Sequence, residues 1–245
     1  MPCKTTKAPA ETLRLTPYSR PMVKTLTISG YNRPTYFAQV IKALAWCDGV
    51  GEYDVVAVLD PSDKTQDLAE IAKAAGIQTM IMPERLGCGS MIRYCMELGF
   101  RISDFHIHLE DDTVPSPDCL RWFEWAGQNA GSNVLTISAY NQHGGAAPND
   151  SCGFRNWFTP WGWATWRDRF YKYLAPAWDS SFWDGSVQRV REQKNMGELF
   201  PHVSRIQNIG AENGTFCPGP EFHKENQHAT RVATDKETKW KNYST

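Results

Sequence analysis

Strand-like and helix-like patterns alternate between residues 24 and 140, and this alternation limits the possible folds more than any other feature of the sequence. The predicted strands cover residues 24–30, 53–59, 77–82, 104–109 and 134–140. The predicted helices cover residues 34–46, 65–75, 91–100 and 116–129. Alternating strands and helices place helices on both faces of a sheet. We therefore expect an α/β fold with a mixed, mostly parallel, Rossmann-like sheet.

Residues typical of helix ends support these boundaries. Pro34 and Pro117 stand in the first turn of two predicted helices, where a missing N–H group costs nothing. Ser116 is the expected N-cap of the fourth helix. Gly76 is expected just beyond the second helix, where a left-handed residue is common.

The rest of the chain is less regular. Residues 1–22 are polar and rich in proline, and they predict an irregular N-terminal arm. Residues 23–245 predict a single domain, which we divide into a half at 23–141 and a smaller C-terminal lobe at 142–245.

The predicted C-terminal lobe contains few regular elements. We expect a helix at 181–194 and a strand at 203–209. Residues 141–151 are rich in Gly, Ala and Asn and predict a mobile loop, with His143 as part of a candidate lid. Residues 211–245 are polar, and we expect irregular structure there.

Composition excludes several classes of protein. With 26 basic and 27 acidic residues, the net charge is −1, which excludes a uniformly basic surface for nucleic acid. A chain of 245 residues buries a core without needing disulfides. Its seven cysteines include no CxxC pair, and no apolar run is long enough to span a membrane. We therefore expect a cytoplasmic protein with reduced thiols and no membrane span.

Ligands of parallel α/β sheets bind beyond the carboxyl ends of the strands, so the residues that follow each strand are candidates for function. These residues are Tyr31, Asn32, Arg33, Asp60, Pro61, Ser62, Asp63, Pro83, Glu84, Arg85, Glu110, Asp111, Asp112, Asn141, Gln142 and His143.

The acidic triplet Glu110-Asp111-Asp112 follows the fourth predicted strand. Adjacent carboxylates repel one another, and a fold that brings them together generally supplies a cation. Carboxylate oxygens suit Mg²⁺ or Mn²⁺, which often keep water and bind substrate phosphates. An acidic loop before a helix N-terminus is the alternative, but the position at the sheet edge favours a metal site.

Two further groups have competing explanations. His106 and His108 share one strand face with Glu110 and could form a two-His, one-carboxylate metal site. We favour the alternative, in which both are half-buried strand residues packed under a helix.

Asp60 also has two explanations. Its carboxylate could accept a hydrogen bond from a nucleobase or a ribose, or it could open the turn that follows it.

Isolated basic residues are also ambiguous. Arg33 and Arg93 could each pair with a base or a diphosphate, or each could be an ordinary surface arginine. His223 and His228 could close over a metal or a phosphate. For these two histidines we favour solvated positions in the C-terminal segment.

Aromatic residues cluster at 157–166, where a packed core and a stacking platform for sugars or bases explain the pattern equally well. Asp184 follows Trp183 at the start of a predicted helix. Partial burial among aromatic residues would raise the pKa of Asp184 and suit a general base. A helix N-cap is the alternative.

The order of these motifs resembles that of GT-A glycosyltransferases. More narrowly, it is similar to the inverting N-acetylglucosaminyltransferase I-like family. Beyond the strand-end residues, the matching blocks are SPDCLRWFEW at 116–125, TISAYN at 136–141, RNWFTPWGW at 155–163, FWD at 182–184 and VSR at 203–205. Gly185 departs from the family, which has a second acid after the equivalent of Asp184.

The resemblance implies roles for individual residues. Asp112 would bind Mn²⁺ or Mg²⁺ directly, Asp184 would be the catalytic base, and Asp60 would face a uracil. The residues expected to bind the donor are Tyr31, Arg33, Asp60, Arg93, Glu110, Asp111 and Trp163. Residues 23–141 would form the nucleotide-sugar-binding half and residues 142–245 the acceptor-binding half.

The sequence thus predicts a metal-dependent, inverting glycosyltransferase with a nucleoside-diphosphate sugar, a UDP-sugar, as donor. The acceptor is a saccharide or another glycan, a lipid-linked or protein acceptor, or a hydroxymethylated base in DNA. The DNA alternative rests on a candidate basic edge, formed by Arg167, Arg169, Lys172, Arg189, Arg191 and Lys194. We favour the alternative explanation of these residues, a solvated face of two helices. Two rival functions are a nucleotidyltransferase and a non-catalytic module that binds sugar or nucleic acid.

Overall fold

The computed structural model describes residues 23–212, 214, 217–236 and 238–240, so the expected arm at 1–22 lies outside the described residues. The strands are β1 (Lys24–Gly30), β2 (Tyr53–Leu59), β3 (Gln78–Ile81), β4 (Phe105–Glu110), β5 (Thr113–Pro115), β6 (Val134–Ser138), β7 (Cys152–Arg155), β8 (Trp163–Trp166), β9 (Gly197–Pro201) and β10 (Ile206–Asn208). The helices are α1 (Pro34–Ala45), α2 (Thr65–Ala74), α3 (Cys88–Gly99), α4 (Cys119–Asn129), α5 (Arg167–Arg169), α6 (Trp183–Lys194) and α7 (Pro220–Asn226). Short 3₁₀ and π turns connect some of them.

Eight strands form one sheet in the order β3-β2-β1-β4-β8-β6-β9-β7. The pairs β1–β2, β1–β4, β2–β3 and β6–β9 are parallel. Strand β8 runs antiparallel to β4 and β6, and β7 runs antiparallel to β9. Strands β5 and β10 form a separate antiparallel pair. The expected α/β fold with a mixed, mostly parallel sheet is confirmed.

The core lies between this sheet and the helices, because each long helix buries one face. Helix α1 buries Phe37, Val40, Ile41 and Leu44, which repeat at the three- and four-residue spacing of one helical stripe. These side chains belong to the same apolar cluster as the inward-facing residues of β1, β2 and β4. Burial of this stripe therefore fixes α1 against the sheet.

Some helix boundaries differ from those expected. Gly76 has a φ of 72° directly after α2, as predicted. Helix α4 begins at Cys119 with Asp118 at its N-cap, so Ser116 is not the cap. Instead, Ser116 Oγ donates a hydrogen bond of 2.8 Å to Asp118, a residue that also binds Arg205. A tertiary ion pair therefore shifts this helix start.

The C-terminal lobe is more ordered than its sequence indicates. Helix α7 lies within the segment that was expected to be irregular, and β10 is shorter than the predicted strand at 203–209. Two buried ion pairs hold this part of the chain. Arg155 lies 2.7 Å from Glu198, and Arg205 lies 3.0 Å from Asp118. The first pair joins the neighbouring strands β7 and β9, and the second joins the segment before β10 to the start of α4. Loss of one partner would leave a buried charge uncompensated.

Within the described part of the chain, no helix is both long and apolar enough to cross a membrane. Cys47, Cys88, Cys95 and Cys119 have free thiols.

Candidate active site

The carboxyl ends of β1, β2 and β4 meet at one edge of the sheet. Gly30 pairs with Leu59, and Ser29 pairs with Glu110. The residues that follow these three strands therefore emerge side by side, and the prediction of a shared edge is confirmed.

Two adjoining pockets, each with a cavity volume of about 100 Å³, form an open groove along this edge. Both are lined by Arg33, Cys88 and Glu110. The first is also lined by Ser29, Gly30, Tyr31, Asn32, Asp60, Arg85, Gly87, Met91 and Asp111. The second is also lined by Asp112, Trp161, Asn208, Gly210, Gly214, Cys217 and Gln227. The groove thus collects most of the residues that were expected to bind donor and metal.

Arg33 compensates part of the acidic triplet. Its guanidinium forms an ion pair with Asp111, and its Nη2 lies 2.9 Å from Oδ2 of Asp112. Burial acts to lower the pKa of Arg33, but the charges of Asp112 and Asp111 outweigh it and raise that pKa above its usual range. Arg33 therefore stays charged and orients both carboxylates.

The triplet carries more negative charge than Arg33 alone can balance. Burial and the charges of Asp112 and Asp111 raise the pKa of Glu110 well above its ordinary value. Burial also raises the pKa of Asp111 to about 6, although Arg33 acts in the opposite direction. Carboxyl groups whose charged forms are disfavoured in this way attract a further cation.

The donor set fits a divalent cation that brings some of its own ligands. In the described residues, no three His, Cys, Asp or Glu side chains converge into a complete metal site. Asp112 nevertheless lines the groove, and its carboxylate oxygens are the hard ligands that Mg²⁺ and Mn²⁺ accept. One or two carboxylates, together with substrate phosphates and water, suffice for such an ion.

Gly210 keeps the space next to Asp112 open. A Cβ atom at this position would overlap Oδ2 of Asp112. The amide of Ile209 donates a hydrogen bond of 2.9 Å to the carbonyl oxygen of Asp112. This bond holds the segment of Gly210 against Asp112. Sequence patterns did not predict this contact, because the two segments are far apart along the chain.

Asp60 is 4% exposed and still lines the groove. Its carboxylate accepts hydrogen bonds of 2.8 and 2.9 Å from the amides of Leu86 and Gly87. Asp60 therefore holds the loop before α3, a role that the sequence did not indicate. Carboxylate oxygens have further lone pairs, so these bonds are compatible with a ligand contact.

Arg85 is a candidate binding residue that sequence reasoning named only as a strand-end residue. Its guanidinium lies 4.2 Å from the centroid of the Tyr31 ring, and both residues line the first pocket. A cation at this distance from an aromatic face is attracted to it. Arg85 thus provides positive charge in the groove at a distance from the acidic triplet.

Asp184 is the second residue of α6 and is exposed, so the expected partial burial is wrong. It lines neither pocket, but its charge acts on two residues of the groove, Cys88 and Glu110. Burial, with the charges of Glu110, Asp112 and Asp184, raises the pKa of Cys88 above its usual range, and Cys88 lines both pockets. Asp184 therefore lies within electrostatic range of the acidic triplet while remaining open to solvent.

Trp163 does not line the groove, and its expected contact with a donor is not supported. The residue is fully buried, and its ring packs against Phe158 and Trp183. Trp161, from the same aromatic segment, lines the second pocket instead. The segment therefore contributes one tryptophan to the core and another to the groove lining.

Arg93 also lies away from the pocket linings. Its side chain pairs with Glu97 one helical turn later, at 2.8 Å, and both side chains are substantially exposed. The geometry therefore gives no support to a donor contact by Arg93.

His106 and His108 are packed strand residues, as favoured from the sequence, but they are fully buried rather than half-buried. His106 contacts the hydroxyls of Thr25 and Thr27 at 2.8 and 2.9 Å, and His108 contacts Thr27 at 3.1 Å. Burial lowers the pKa of each to about 3, so both are neutral core residues.

His223 is buried, which contradicts the expectation of a solvated residue. Its Nε2 lies 3.1 Å from Oδ1 of Asn208, and its ring contacts that of His228. Asn208 lines the same pocket as Asp112, so α7 closes one side of the groove.

The six residues of the candidate basic edge do not form one free surface. Arg167 pairs with Asp104 at 3.1 Å, and Arg169 stacks on Trp166 at 3.4 Å from the ring centroid. Arg191 is only 9% exposed and donates to the carbonyl of Met196. Three of the six side chains are therefore occupied by contacts within the protein.

The loop at 141–151 is tied to the rest of the lobe. Asn141 donates a hydrogen bond of 2.6 Å to the carbonyl of His202, and Arg231 donates to the carbonyls of Gly145 and Ala147. His143 is exposed and lines neither pocket of the groove. These contacts do not favour the mobile lid that was expected.

No family model matches the sequence. Among solved structures, the chain is similar to S. aureus TarS, with a TM-score of 0.57 and 14% identity over 78% of this chain and 37% of that chain. It is also similar to S. aureus TarS 1–349 in complex with UDP, with a TM-score of 0.53 and 13% identity over 76% and 59% of the two chains. A third similar structure is the mannosyltransferase PcManGT from Pyrobaculum calidifontis in complex with GDP-Man and Mn²⁺, with a TM-score of 0.52 and 14% identity over 72% and 54%.

These similarities and the sheet order define the class of fold. The protein shares its mixed α/β fold with these solved structures, one of which is a mannosyltransferase. The chain spans between 37% and 59% of the length of these solved structures. They do not single out the N-acetylglucosaminyltransferase I-like family that the sequence blocks resemble.

Proposed function

We propose that the protein is a metal-dependent, inverting glycosyltransferase that uses a nucleoside-diphosphate sugar, preferentially a UDP-sugar. The observation that carries this proposal is the single groove at the carboxyl edge of the sheet, which joins Asp60, Arg33 and the acidic triplet. The similar structures with UDP, and with GDP-Man and Mn²⁺, support a nucleotide-sugar donor and a divalent ion.

Residues 23–141 form the donor-binding half in this proposal. Asp60 accepts the ring N–H of a uracil, while Tyr31 and Arg85 flank the nucleoside. Arg33, Glu110 and Asp111 lie beside the sugar and the diphosphate. The positive charge of Arg85 is well suited to an anionic donor, because its guanidinium contacts the Tyr31 ring within the first pocket.

Asp112 is the residue that would hold Mn²⁺ or Mg²⁺ directly. When bound, such an ion neutralises the diphosphate leaving group and orients it. Arg33 fixes the Asp112 carboxylate through a contact of 2.9 Å, so the ligand oxygen is positioned before the donor arrives.

Asp184 is the proposed general base. Its carboxylate takes the proton of the acceptor hydroxyl while the acceptor oxygen forms a bond to the anomeric carbon. The bond from that carbon to the diphosphate oxygen breaks at the same time, and the configuration at the anomeric carbon inverts. The exposure of Asp184 at the start of α6 leaves it accessible to an acceptor from the side of residues 142–245.

Nucleotide binding provides the first test. Isothermal titration calorimetry with UDP, GDP and ADP, each with and without Mn²⁺, should give Mn²⁺-dependent binding that is tightest for UDP. Arg85→Ala should weaken UDP binding, because the groove loses a positive charge. Arg101→Ala is the matched control, since Arg101 is exposed but lines neither pocket of the groove. Absence of binding by all three nucleotides would exclude the proposal.

The reaction products separate the rival functions. Incubation with UDP-sugars should release UDP, whereas a nucleotidyltransferase would release pyrophosphate from nucleoside triphosphates. A non-catalytic module would bind ligand without releasing either product.

A further inference from the structure

Phe182 exposes a large apolar side chain beside Asp184. It is the N-cap residue of α6, two positions before the proposed base, and it is 58% exposed. An exposed aromatic ring is an apolar surface that a ligand can cover. Its position next to the proposed base indicates a ligand that also contacts Asp184.

Gly185 determines where this ring lies. A Cβ atom at position 185 would overlap Cε1 and Cζ of Phe182, so the ring rests directly over the glycine. A side chain at position 185 would therefore displace the ring. The exposed ring thus has a defined position beside Asp184.

Trp157 is a second exposed ring, in a segment that is hydrogen-bonded to α6. It is 56% exposed, and the amide of the next residue, Phe158, donates a hydrogen bond of 2.9 Å to Oε1 of Gln188. Gln188 and Asp184 are four residues apart on α6, so they share one helix face. The hydrogen bond therefore holds the Trp157 segment about one helical turn from the proposed base.

The charges near these rings disfavour a polyanion. Asp184 lies within electrostatic range of Glu110, whose pKa its charge helps to raise. Among the basic residues of the candidate edge, Arg191 is buried and Arg167 is paired with Asp104, whereas Arg189 is exposed on α6 and its charge acts on Asp179. A neutral ligand with apolar C–H faces and several hydroxyls fits two exposed rings next to carboxylates better than a phosphate backbone does.

We infer that Phe182 and Trp157 form the acceptor-binding surface and that the acceptor is a neutral saccharide. One sugar face stacks on Phe182, which brings a hydroxyl of that sugar to Asp184. The inference rests on the proposed function and adds the class of acceptor and the residues that bind it.

Saccharide binding can be measured directly. We would record saturation-transfer NMR spectra for a panel of free mono- and disaccharides and aryl glycosides, in the presence of UDP and Mn²⁺. The same panel would then be used to determine the acceptor KM with UDP-sugars. At least one saccharide should bind, and Phe182→Ala should raise its Kd and KM about 10-fold, equivalent to about 1.4 kcal/mol. Trp157→Ala should have an effect in the same direction.

Two further variants distinguish the effect of the Phe182 ring position from the general effect of a substitution. Gly185→Ala retains Phe182 but displaces its ring, so it should weaken saccharide binding to a similar extent. Trp46→Ala is the control for loss of an exposed aromatic residue, because Trp46 is 70% exposed at the far end of α1. UDP affinity should be unchanged in all four variants, which also shows that each variant is folded.

Equal saccharide affinity in the wild type and Phe182→Ala would overturn the inference. So would the absence of saccharide binding in a wild-type protein that binds UDP, or glycosylation of duplex DNA with hydroxymethylated bases and of no saccharide. A wild type that binds no nucleotide would refute the proposed function itself, and calorimetry identifies that case separately.

Discussion

Nη2 of Arg33 lies 2.9 Å from Oδ2 of Asp112, which joins the loop after β1 to the loop after β4. The same guanidinium also contacts Asp111, so one cation is shared between two carboxylates. The raised pKa of Glu110, caused by burial and by both neighbouring aspartates, reflects the remaining imbalance. A divalent ion at Asp112 would reduce this excess of negative charge.

Asp112→Asn should abolish Mn²⁺-dependent binding of UDP and all turnover, because an amide is a weaker ligand than a carboxylate. Calorimetry with UDP, with and without Mn²⁺, measures the effect. The control is Asp63→Asn at an exposed position after β2, where binding should be unchanged. Full activity of the wild type in excess chelator would contradict the metal assignment.

Asp60→Ala should weaken UDP binding and also lower the free energy of unfolding by about 1–3 kcal/mol. Both effects are expected because the amides of Leu86 and Gly87 lose their acceptor. Asp60→Asn keeps one acceptor oxygen and should be less destabilised. Urea unfolding and UDP titration measure the two effects separately, and equal wild-type affinity for UDP and GDP would argue against uracil recognition by Asp60.

Asp184→Asn should lower kcat by about 10²–10⁴-fold, the usual effect of removing a general base, with UDP affinity nearly unchanged. Asp179→Asn is the matched control. Asp179 accepts hydrogen bonds from the amide and hydroxyl of Ser181, at 2.9 and 2.6 Å, so it stabilises a turn before α6.

A reversed pattern, with Asp179→Asn inactive and Asp184→Asn active, would mean that the base is misassigned. NMR analysis of the product tests the stereochemistry independently. Retention of the donor's anomeric configuration would exclude the inverting mechanism, whichever aspartate is essential.

His106 and His108 should make the protein sensitive to acid. Burial lowers the pKa of each from 6.5 to about 3, so below about pH 6.5 the unfolded chain binds protons that the folded chain does not. Their contribution to the free energy of unfolding is therefore present above about pH 6.5. It decreases by about 1 kcal/mol per pH unit per histidine as the pH falls towards 3.

His106→Gln removes one of these groups. The stability of this variant relative to the wild type, measured by urea unfolding between about pH 7 and about pH 5, should improve as the pH falls. A constant difference across this range would mean that His106 is not a buried neutral residue in solution.

The sequence by itself determined the fold class and the edge of the sheet at which the candidate residues come together. Alternating strand and helix patterns are local properties of the chain, and the strands 24–30 and 53–59 match β1 and β2 in full. Since parallel strands place their carboxyl ends together, Arg33, Asp60 and Asp112 could be assigned to one edge without knowledge of side-chain contacts.

The tertiary structure decided which side chains reach the groove. Trp161 and Trp163 have the same chemistry and differ by two positions, yet Trp163 is buried in β8 while Trp161 lines the second pocket. Likewise, the contacts of Gly185 with Phe182 and of Gly210 with Asp112 were not predicted. Burial and close approach depend on segments that are distant along the chain, and the packing of those segments has no local pattern that a single sequence reveals.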